Sequence, residues 1–375
     1  MAQITVQTIK KRLKVAALVL EEPAQIKFVN KNGEFMAAIS DKQNLINVFF
    51  GNLNADDFAF GVSLETYQKF IEHYADNKTR NKINVNLNGN TLEFIMSNAK
   101  NEIVDVYSVE GMLAKNNAST VVYEDEKDVT DLVSFLKSLD VVKSKKFIPY
   151  TEQIIIEANN MMATDCYSIT SYDIPEIDGA FSISRDACKN LRKLINELNV
   201  VKIAIGQTGH SLVFKTDAFE YYIRKTKVTN PSFNKLFMAM NEGSDNLEDI
   251  KTKLFKLFSK QEAGGTYDIM GTKYTCDKIT LDKLDGAYIL YAEELKDALF
   301  PAKYLIEGPG REEMFTTKEK IVGFDARFIQ RILNCCTSDA TVARTTKNTM
   351  LIKSGTFRTH LFPLLTNTVY KKKEA

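Results

Sequence analysis

Residues 165–168 read Asp-Cys-Tyr-Ser, which sets a carboxylate, a thiol, a phenol and a hydroxyl side by side within "MMATDCYSITSYDIP" (161–175). Such a set could do nucleophilic chemistry, with Cys166 attacking and a neighbouring base taking its proton. The histidines that could supply the base, His73, His210 and His360, are all remote in sequence. Nothing beside the thiol visibly lowers its pKa. The five cysteines (166, 188, 276, 335 and 336) make no CxxC pair, so zinc spacing is absent and no metal is expected. They read as reduced core or surface thiols. There is no GxxxxGK[ST] loop for ATP, and "EAGGTYDIMG" and "EGPGRE" read as turns. No catalytic residue, no cofactor and no enzyme activity is expected. The other reading of 161–175 is a stretch of strand that a partner reads.

The elements around this stretch follow a repeated plan. Three segments begin with a short alternating strand ending in an N-cap residue, at Phe60, Phe181 and Val322, with Ser63, Ser184 and Asp325 as the caps. An amphipathic helix follows each cap, then two alternating strands joined by the polar turns "LNGN", "GQTGH" and "TTKN". A second module precedes each copy, with "TVQTIKKRLKVAALVL", "DVTDLVSFLKSLDVV" and "NLEDIKTKLFKLFSK" as helices. Strands "IKFVNKNGEFMAAIS", "EQIIIEANNMMATD" and "TYDIMGTKYT" come after them. The copies lie too far apart for a solenoid period, so three similar domains are expected. Their boundaries fall at 1–124, 125–243 and 244–375, in the acidic "YEDEKD" (123–128) and the polar "NEGSDN" (241–246), read as exposed linkers.

Charge is segregated along these elements. The chain has 375 residues, a formal net charge of +1, 44% apolar and 26% charged residues, the profile of a soluble globular protein. No apolar run approaches the roughly 18 residues of a membrane span, and the N-terminus lacks signal-peptide order, so a cytoplasmic protein without membrane contact is expected. On the helix 184–198, Ala187, Leu191, Leu194, Ile195 and Leu198 make one apolar face. Arg185, Lys189, Arg192, Lys193 and Asn196 make the other. Lys251, Lys253 and Lys256 repeat this on the helix from Asp249. Lys10, Lys11, Arg12 and Lys14 lie on the first helix, and Arg327 and Arg331 on the last. Lys137 and Lys69 add one each, although Glu65, Glu72 and Asp76 offset Lys69. Helices rich in Lys and Arg and poor in acid suit a polyanion contacted through its phosphates without base reading.

At this point "ATDCYSI", "NPSFNKLF" (230–237), "FDARFIQRILN" (324–334) and "HLFPLL" (360–365), in this order and spacing, resemble the bacterial DNA polymerase III beta subunit, the sliding clamp. The richness in Asn, Lys and Ile points to a bacteriophage-encoded version. The resemblance implies an α+β fold of three DNA-clamp domains, each of two helix-plus-strands modules. It further implies a head-to-tail homodimeric ring, with helices lining the hole and sheets outside. The ring would encircle duplex DNA, tether the replicative polymerase and be opened by a clamp loader, with no catalysis of its own. A partner peptide would dock between domains 2 and 3. Thr164, Asp165, Cys166, Tyr167, Ser168 and Ile169 match one wall of that pocket, and His360, Leu361, Phe362, Pro363 and Leu364 the other. Thr349 and Met238 match further positions. The family's Gly-His-Arg is Cys-Tyr-Ser here, and the chain continues past the usual end with "TNTVYKKKEA", which implies an altered peptide preference. The competing reading is a DNA-binding polymerase accessory protein that does not close into a ring.

Overall fold

The computed structural model describes residues 4–17, 25–75, 81–114, 121–145, 147–228, 243–246, 266–269, 272–275, 287–291, 298–301, 322–345 and 349–362. Along the chain the elements are α1 (Val6–Ala17), β1 (Gln25–Lys31), β2 (Glu34–Ser40), β3 (Asn44–Asn52), β4 (Phe58–Val62), α2 (Leu64–Ala75), β5 (Lys82–Asn88), β6 (Thr91–Ser97) and β7 (Ile103–Glu110). Then come β8 (Met112–Leu113), β9 (Val122–Tyr123), β10 (Lys127–Asp128), α3 (Thr130–Ser138), a 3-10 turn (Pro149–Glu152), β11 (Gln153–Glu157), β12 (Asn160–Thr164), β13 (Ser168–Asp173), β14 (Phe181–Ser184) and α4 (Arg185–Leu198). The rest are β15 (Lys202–Gln207), β16 (Ser211–Lys215), β17 (Phe219–Arg224), β18 (Gly243–Asn246), β19 (Thr266–Ile269), β20 (Thr272–Thr275), β21 (Ala287–Tyr291), β22 (Ala298–Pro301), β23 (Val322–Asp325), α5 (Ala326–Leu333), β24 (Thr341–Thr345), β25 (Met350–Ser354) and β26 (Phe357–Leu361).

The repeated grammar holds. β4, β14 and β23 each run into a capped helix. Ser63 Oγ accepts from the Thr66 N–H at 3.1 Å, Ser184 Oγ from Ala187 at 3.4 Å, and Asp325 Oδ1 from Phe328 at 2.9 Å. Each cap satisfies one of the N–H groups that the first helical turn leaves open. α4 ends where Asn199 turns left-handed, at φ 54°. A third strand, β7, β17 or β26, completes each copy beyond the two expected. The preceding modules hold too: β1–β2, β11–β12 and β19–β20 are antiparallel hairpins. The helix expected from Asp249 lies outside the described residues.

The chain forms two compact units, Met1–Thr130 with Pro175–Lys227, and Asp131–Ile174 with Val228–Ala375. The expected second domain, 125–243, contributes to both. In the first unit, β10-β15-β16-β17-β3-β2-β1-β4-β8 run side by side with β9 on β15, and β5-β6-β7 form a second sheet. The join is β17 on β3, with Phe219 opposite Val48 and Tyr221 opposite Ile46. In the second unit, β11-β12-β13-β26-β25-β24-β18 run side by side, joined where β13 meets β26. Main-chain pairing of strands distant in sequence thus welds each unit.

The two expected linkers are corrected. "YEDEKD" carries β9 and β10, which pair β15, and residues 243–246 of "NEGSDN" form β18, which pairs β24. Short polar strands at a sheet margin read as linker because half of their backbone bonds go to water.

The cores are apolar and aromatic. In the first unit Phe70 packs on Phe94 at 4.5 Å and on Phe28 at 5.1 Å between ring centres, under α2. α1 touches α2, α4 and β3, so helices cover one sheet face. Successive residues of β3 alternate between buried and half-buried, as a two-faced sheet requires. In the second unit a buried hydroxyl chain underlies the weld. Thr170 Oγ1 lies 3.0 Å from Ser138 Oγ and 3.2 Å from Thr359 Oγ1. At its end Arg358 pairs with Asp173 at 2.8 Å, and Asp131 accepts from the N–H and hydroxyl of Thr356, both at 2.9 Å.

Candidate functional site

The turn Asp165–Tyr167 joins β12 to β13, and its polar groups are spent on its own backbone. Asp165 Oδ1 accepts from the N–H of Tyr167 (2.9 Å), the N–H of Ser168 (2.8 Å) and the Ser168 hydroxyl (2.9 Å). Thr164 Oγ1 donates to the Ser168 carbonyl at 2.7 Å and accepts from the Cys166 N–H at 3.1 Å. This is an Asx turn, the local bonding that Asp favours between strands. Acid and hydroxyl therefore act as scaffold. Cys166, left-handed at φ 73°, is exposed, and its thiol lies 3.3 Å from the Tyr150 hydroxyl. That contact raises the Tyr150 pKa, with burial a smaller cause.

The sequence-distant wall arrives through the weld. Ser168 opposes Leu361 and Ile169 opposes His360 in the β13–β26 register, and the Phe362 N–H donates to the Tyr167 carbonyl at 2.9 Å. Thr349, buried and 2.7 Å from the Thr345 hydroxyl, stands one residue before β25, whose Met350 opposes Leu361. Below lie Ile155, Met162 and Ile169, with Val228 and Phe362 packed against them. Thr164, Asp165, Ser168, Ile169, Thr349, His360 and Leu361 are buried and form the floor and frame. Cys166, Tyr167 and Phe362 offer surface, Tyr167 being 54% exposed. Met238, Pro363 and Leu364 lie outside the described residues.

Neighbours not singled out in the sequence complete the rim. Lys145 Nζ sits 3.5 Å above the Tyr167 ring, a cation–π contact. Tyr150 flanks Cys166. The basic-aromatic run "KSKKFIPY" (143–150) was the available signal.

The helix faces divide into exposed and internal cations. Lys11, Lys137, Lys193 and Arg331 are exposed, while Lys10, Lys189, Arg192 and Arg327 are half-buried. Lys189 pairs with Asp186 at 3.3 Å, Lys193 donates to Asn190 Oδ1 at 3.4 Å, and Arg331 reaches the Asp140 carbonyl at 3.2 Å. Lys69 pairs with Glu65 at 2.7 Å on an exposed face, as the acids around it suggested. Arg12 is turned inward. Its guanidinium donates to the Phe49 carbonyl, and burial lowers its pKa while Asp217 opposes that shift. Arg185, placed on the outer face by helical spacing, is buried at 3% exposure. Long cationic stems fold back when a carbonyl or an apolar surface is within reach. Lys14 lies in α1, with its side chain outside the description, and Lys251, Lys253 and Lys256 lie outside the described residues. Among the described residues no group of acids, cysteines and histidines could hold a metal, and no helix is long and apolar enough to cross a membrane.

No family model matches the sequence, and no curated protein matches it. Solved structures match over nearly the whole chain. The DNA polymerase III beta subunit from Thermotoga maritima is 13% identical and covers 97% of this chain and 98% of its own, with a TM-score of 0.54. The Helicobacter pylori beta clamp bound to a DNA ligase peptide is 12% identical, with 97% and 99% covered and a TM-score of 0.57. A Pseudomonas aeruginosa sliding clamp bound to griselimycin is 10% identical, with 97% and 98% covered and a TM-score of 0.56. The chain has the fold of a DNA sliding clamp. At these identities the likeness is one of fold, and it agrees with the resemblance drawn from "ATDCYSI" and "HLFPLL". In this clamp fold the two quoted motifs are adjacent strands of one sheet.

His360 gives the site a titration signature. Burial, and secondarily the nearby Arg358, depress its pKa to about 4. The unfolded chain takes up this proton nearer pH 6.5. Stability from neutral His360 is therefore complete above about 6.5 and lost as pH falls towards 4. At roughly 1.4 kcal/mol per pKa unit the loss is about 3 kcal/mol. Urea unfolding between pH 7 and 4 should show it, and His360→Gln should have a flatter pH dependence. Equal slopes in the two proteins would remove His360 as the cause.

Proposed function

We propose that the protein is a DNA sliding clamp, a processivity factor that encircles duplex DNA as a head-to-tail homodimer and tethers a replicative polymerase. The fold likeness across 97% of the chain carries this reading. It is supported by the six-module plan, which divides into three domains at 1–124, 125–243 and 244–375. The ring would act in the cytoplasm, be opened by a clamp loader and catalyse nothing. The polar groups of the Asp165–Ser168 turn are consistent with that, being spent on backbone bonds.

The exposed and half-buried cations of α1, α3, α4 and α5 would line the hole. Their contacts to phosphate would be individually weak and indifferent to sequence, as sliding requires. Changing Lys189, Arg192 and Lys193 together to Ala should weaken duplex binding equally on unrelated sequences. It should also make the dependence of log affinity on log salt shallower by roughly 2. A loss confined to one DNA sequence would argue against a channel.

Ring closure would use β7. In both welds described above, a third strand from one module pairs with a third strand from another. β7 is a third strand at the margin of its sheet, and it exposes Ile103 (66%), Val104 (49%) and Val106 (48%). A second copy would cover this edge, which otherwise invites misassembly. Light scattering should give a dimer for the natural chain and a monomer for Ile103→Asp with Val106→Asp. A monomeric natural chain would favour the accessory protein that does not close.

The polymerase would dock a linear peptide in the groove framed by Cys166, Tyr167 and Phe362, with Met238, Pro363 and Leu364 as further lining. Phe362→Ala should weaken binding of the polymerase's C-terminal peptide about 30-fold, the cost of roughly 2 kcal/mol for a buried anchor contact. Calorimetric titration measures this. Equal affinities in the natural and variant chains would place the partner site elsewhere.

A further inference from the structure

The first unit repeats the frame of the Tyr167–Phe362 groove with different side chains. There Asp41 Oδ1 accepts from the N–H groups of Gln43 and Asn44, both at 2.6 Å, as Asp165 does from Tyr167 and Ser168. Asn44 opposes Ile223 and Leu45 opposes Tyr222, as Ser168 opposes Leu361 and Ile169 opposes His360. The Arg224 N–H donates to the Gln43 carbonyl at 3.3 Å, as Phe362 does to Tyr167 at 2.9 Å. Lys27 faces Ala38 across a hairpin where Ile155 faces Met162. The apolar set Ile155, Met162, Ile169 and Phe362 thus corresponds to Lys27, Ala38, Leu45 and Arg224.

These residues line a groove of about 1110 Å³ on the sheet face away from the Phe35, Ala37 and Ile39 core. Ala38 and Phe49 contribute an apolar floor, packed on Val29, Met36 and Ala59. Lys31, Lys42 and Arg224 stand around it. The lining acids are Glu34, Asp41 and Glu220, and two of them are engaged. Asp41 holds the turn. Glu220 accepts from the hydroxyls of Tyr123 (3.1 Å) and Tyr222 (3.0 Å) and from Asn47 (3.1 Å), and it pairs with Lys215 at 3.3 Å. The charge offered to a ligand is therefore set by the cations.

We propose that this groove binds an acidic linear peptide carrying one apolar anchor. Its carboxylates meet Lys31, Lys42 and Arg224, and its anchor lies over Ala38 and Phe49. Cation clusters beside an apolar floor are how acidic motifs are read, and the volume suits a few residues of chain. Single-stranded nucleic acid is held instead by open aromatic platforms. The groove's Tyr123 and Tyr222 are half-buried and engaged by Glu220. The proposal uses the geometry of the second unit's groove and does not depend on the partner proposed there.

The test uses the full chain and a short fluorescein-labelled peptide of Asp and Glu flanking one Leu, with an Asn/Gln version as control. Fluorescence anisotropy should show the acidic peptide binding about ten-fold or more tighter than the control. Lys42→Glu with Arg224→Glu should abolish that difference, and Lys42→Ala with Arg224→Ala should reduce it. Thermal melting checks that each variant is folded, and the Ala pair decides the matter if the Glu pair unfolds. Phe362→Ala should bind the acidic peptide unchanged. Equal binding of the two peptides, or full binding by the folded charge variants, overturns the proposal. Loss in Phe362→Ala alone would move the site to the second unit. Displacement by an oligothymidylate at lower concentration than by unlabelled peptide would assign the groove to nucleic acid.

Discussion

A strand at the end of a module has an open row of N–H and C=O groups, and burying it without partners costs more than the fold can spare. The pairings of β3 with β17 and of β13 with β26 meet this constraint twice. Each joins segments more than 150 residues apart, so the chain must close a long loop before any bond forms. Once closed, the sheet fixes everything attached to it. The turn at Asp165 and the strand end at Phe362 become neighbours because β13 and β26 share a register. The hydroxyl chain through Thr170 and the Arg358–Asp173 pair hold that register from below.

The same constraint explains why a nest of reactive residue types is not a nest of reactivity. Asp165 sits where three donors converge, and a carboxylate accepting all three is poorly placed to take a proton from a thiol. The nearest titratable partner of Cys166 is a phenol, whose proton comes off only at high pH. His360 lies two strands' width into the sheet, buried and biased towards its neutral form by that burial. Acid, thiol and imidazole are close in the fold yet committed to separate structural tasks.

Most of this fold was legible in the sequence wherever the determinants are local. The caps Ser63, Ser184 and Asp325, the hairpins and the two-residue alternation all depend on residues within one turn of each other. What escaped depends on distant atoms. Arg12 turns inward because Phe49, 37 residues away, offers a carbonyl, and no helical wheel contains that carbonyl. Arg185 is buried although its helical spacing is that of an outer face. Residues 243–246 are a strand because β24 lies beside them, although their composition is that of a linker. The candidate groove was legible through resemblance alone, since "ATDCYSI" and "HLFPLL" say nothing about each other until the register is known.

The two welds also separate what a frame must conserve physically from what it can vary. An Asx turn needs Asp41 or Asp165 and the two following N–H groups, and the strand end needs only its own N–H. Side chains at Lys27 and Arg224, or at Ile155 and Phe362, take no part in those bonds, so one main-chain arrangement can border a cationic groove and an apolar one. The turns differ at their second residue. Cys166 is left-handed, a conformation that costs an L-residue roughly 1–2 kcal/mol and glycine almost nothing. Its N–H is held by Thr164 Oγ1, which offsets part of that cost. Glycine would serve the turn more cheaply, so the thiol acts through the surface it presents beside Tyr150 and Tyr167. At these grooves the backbone sets where a ligand can lie, and the side chains the frame leaves unused set which ligand that is.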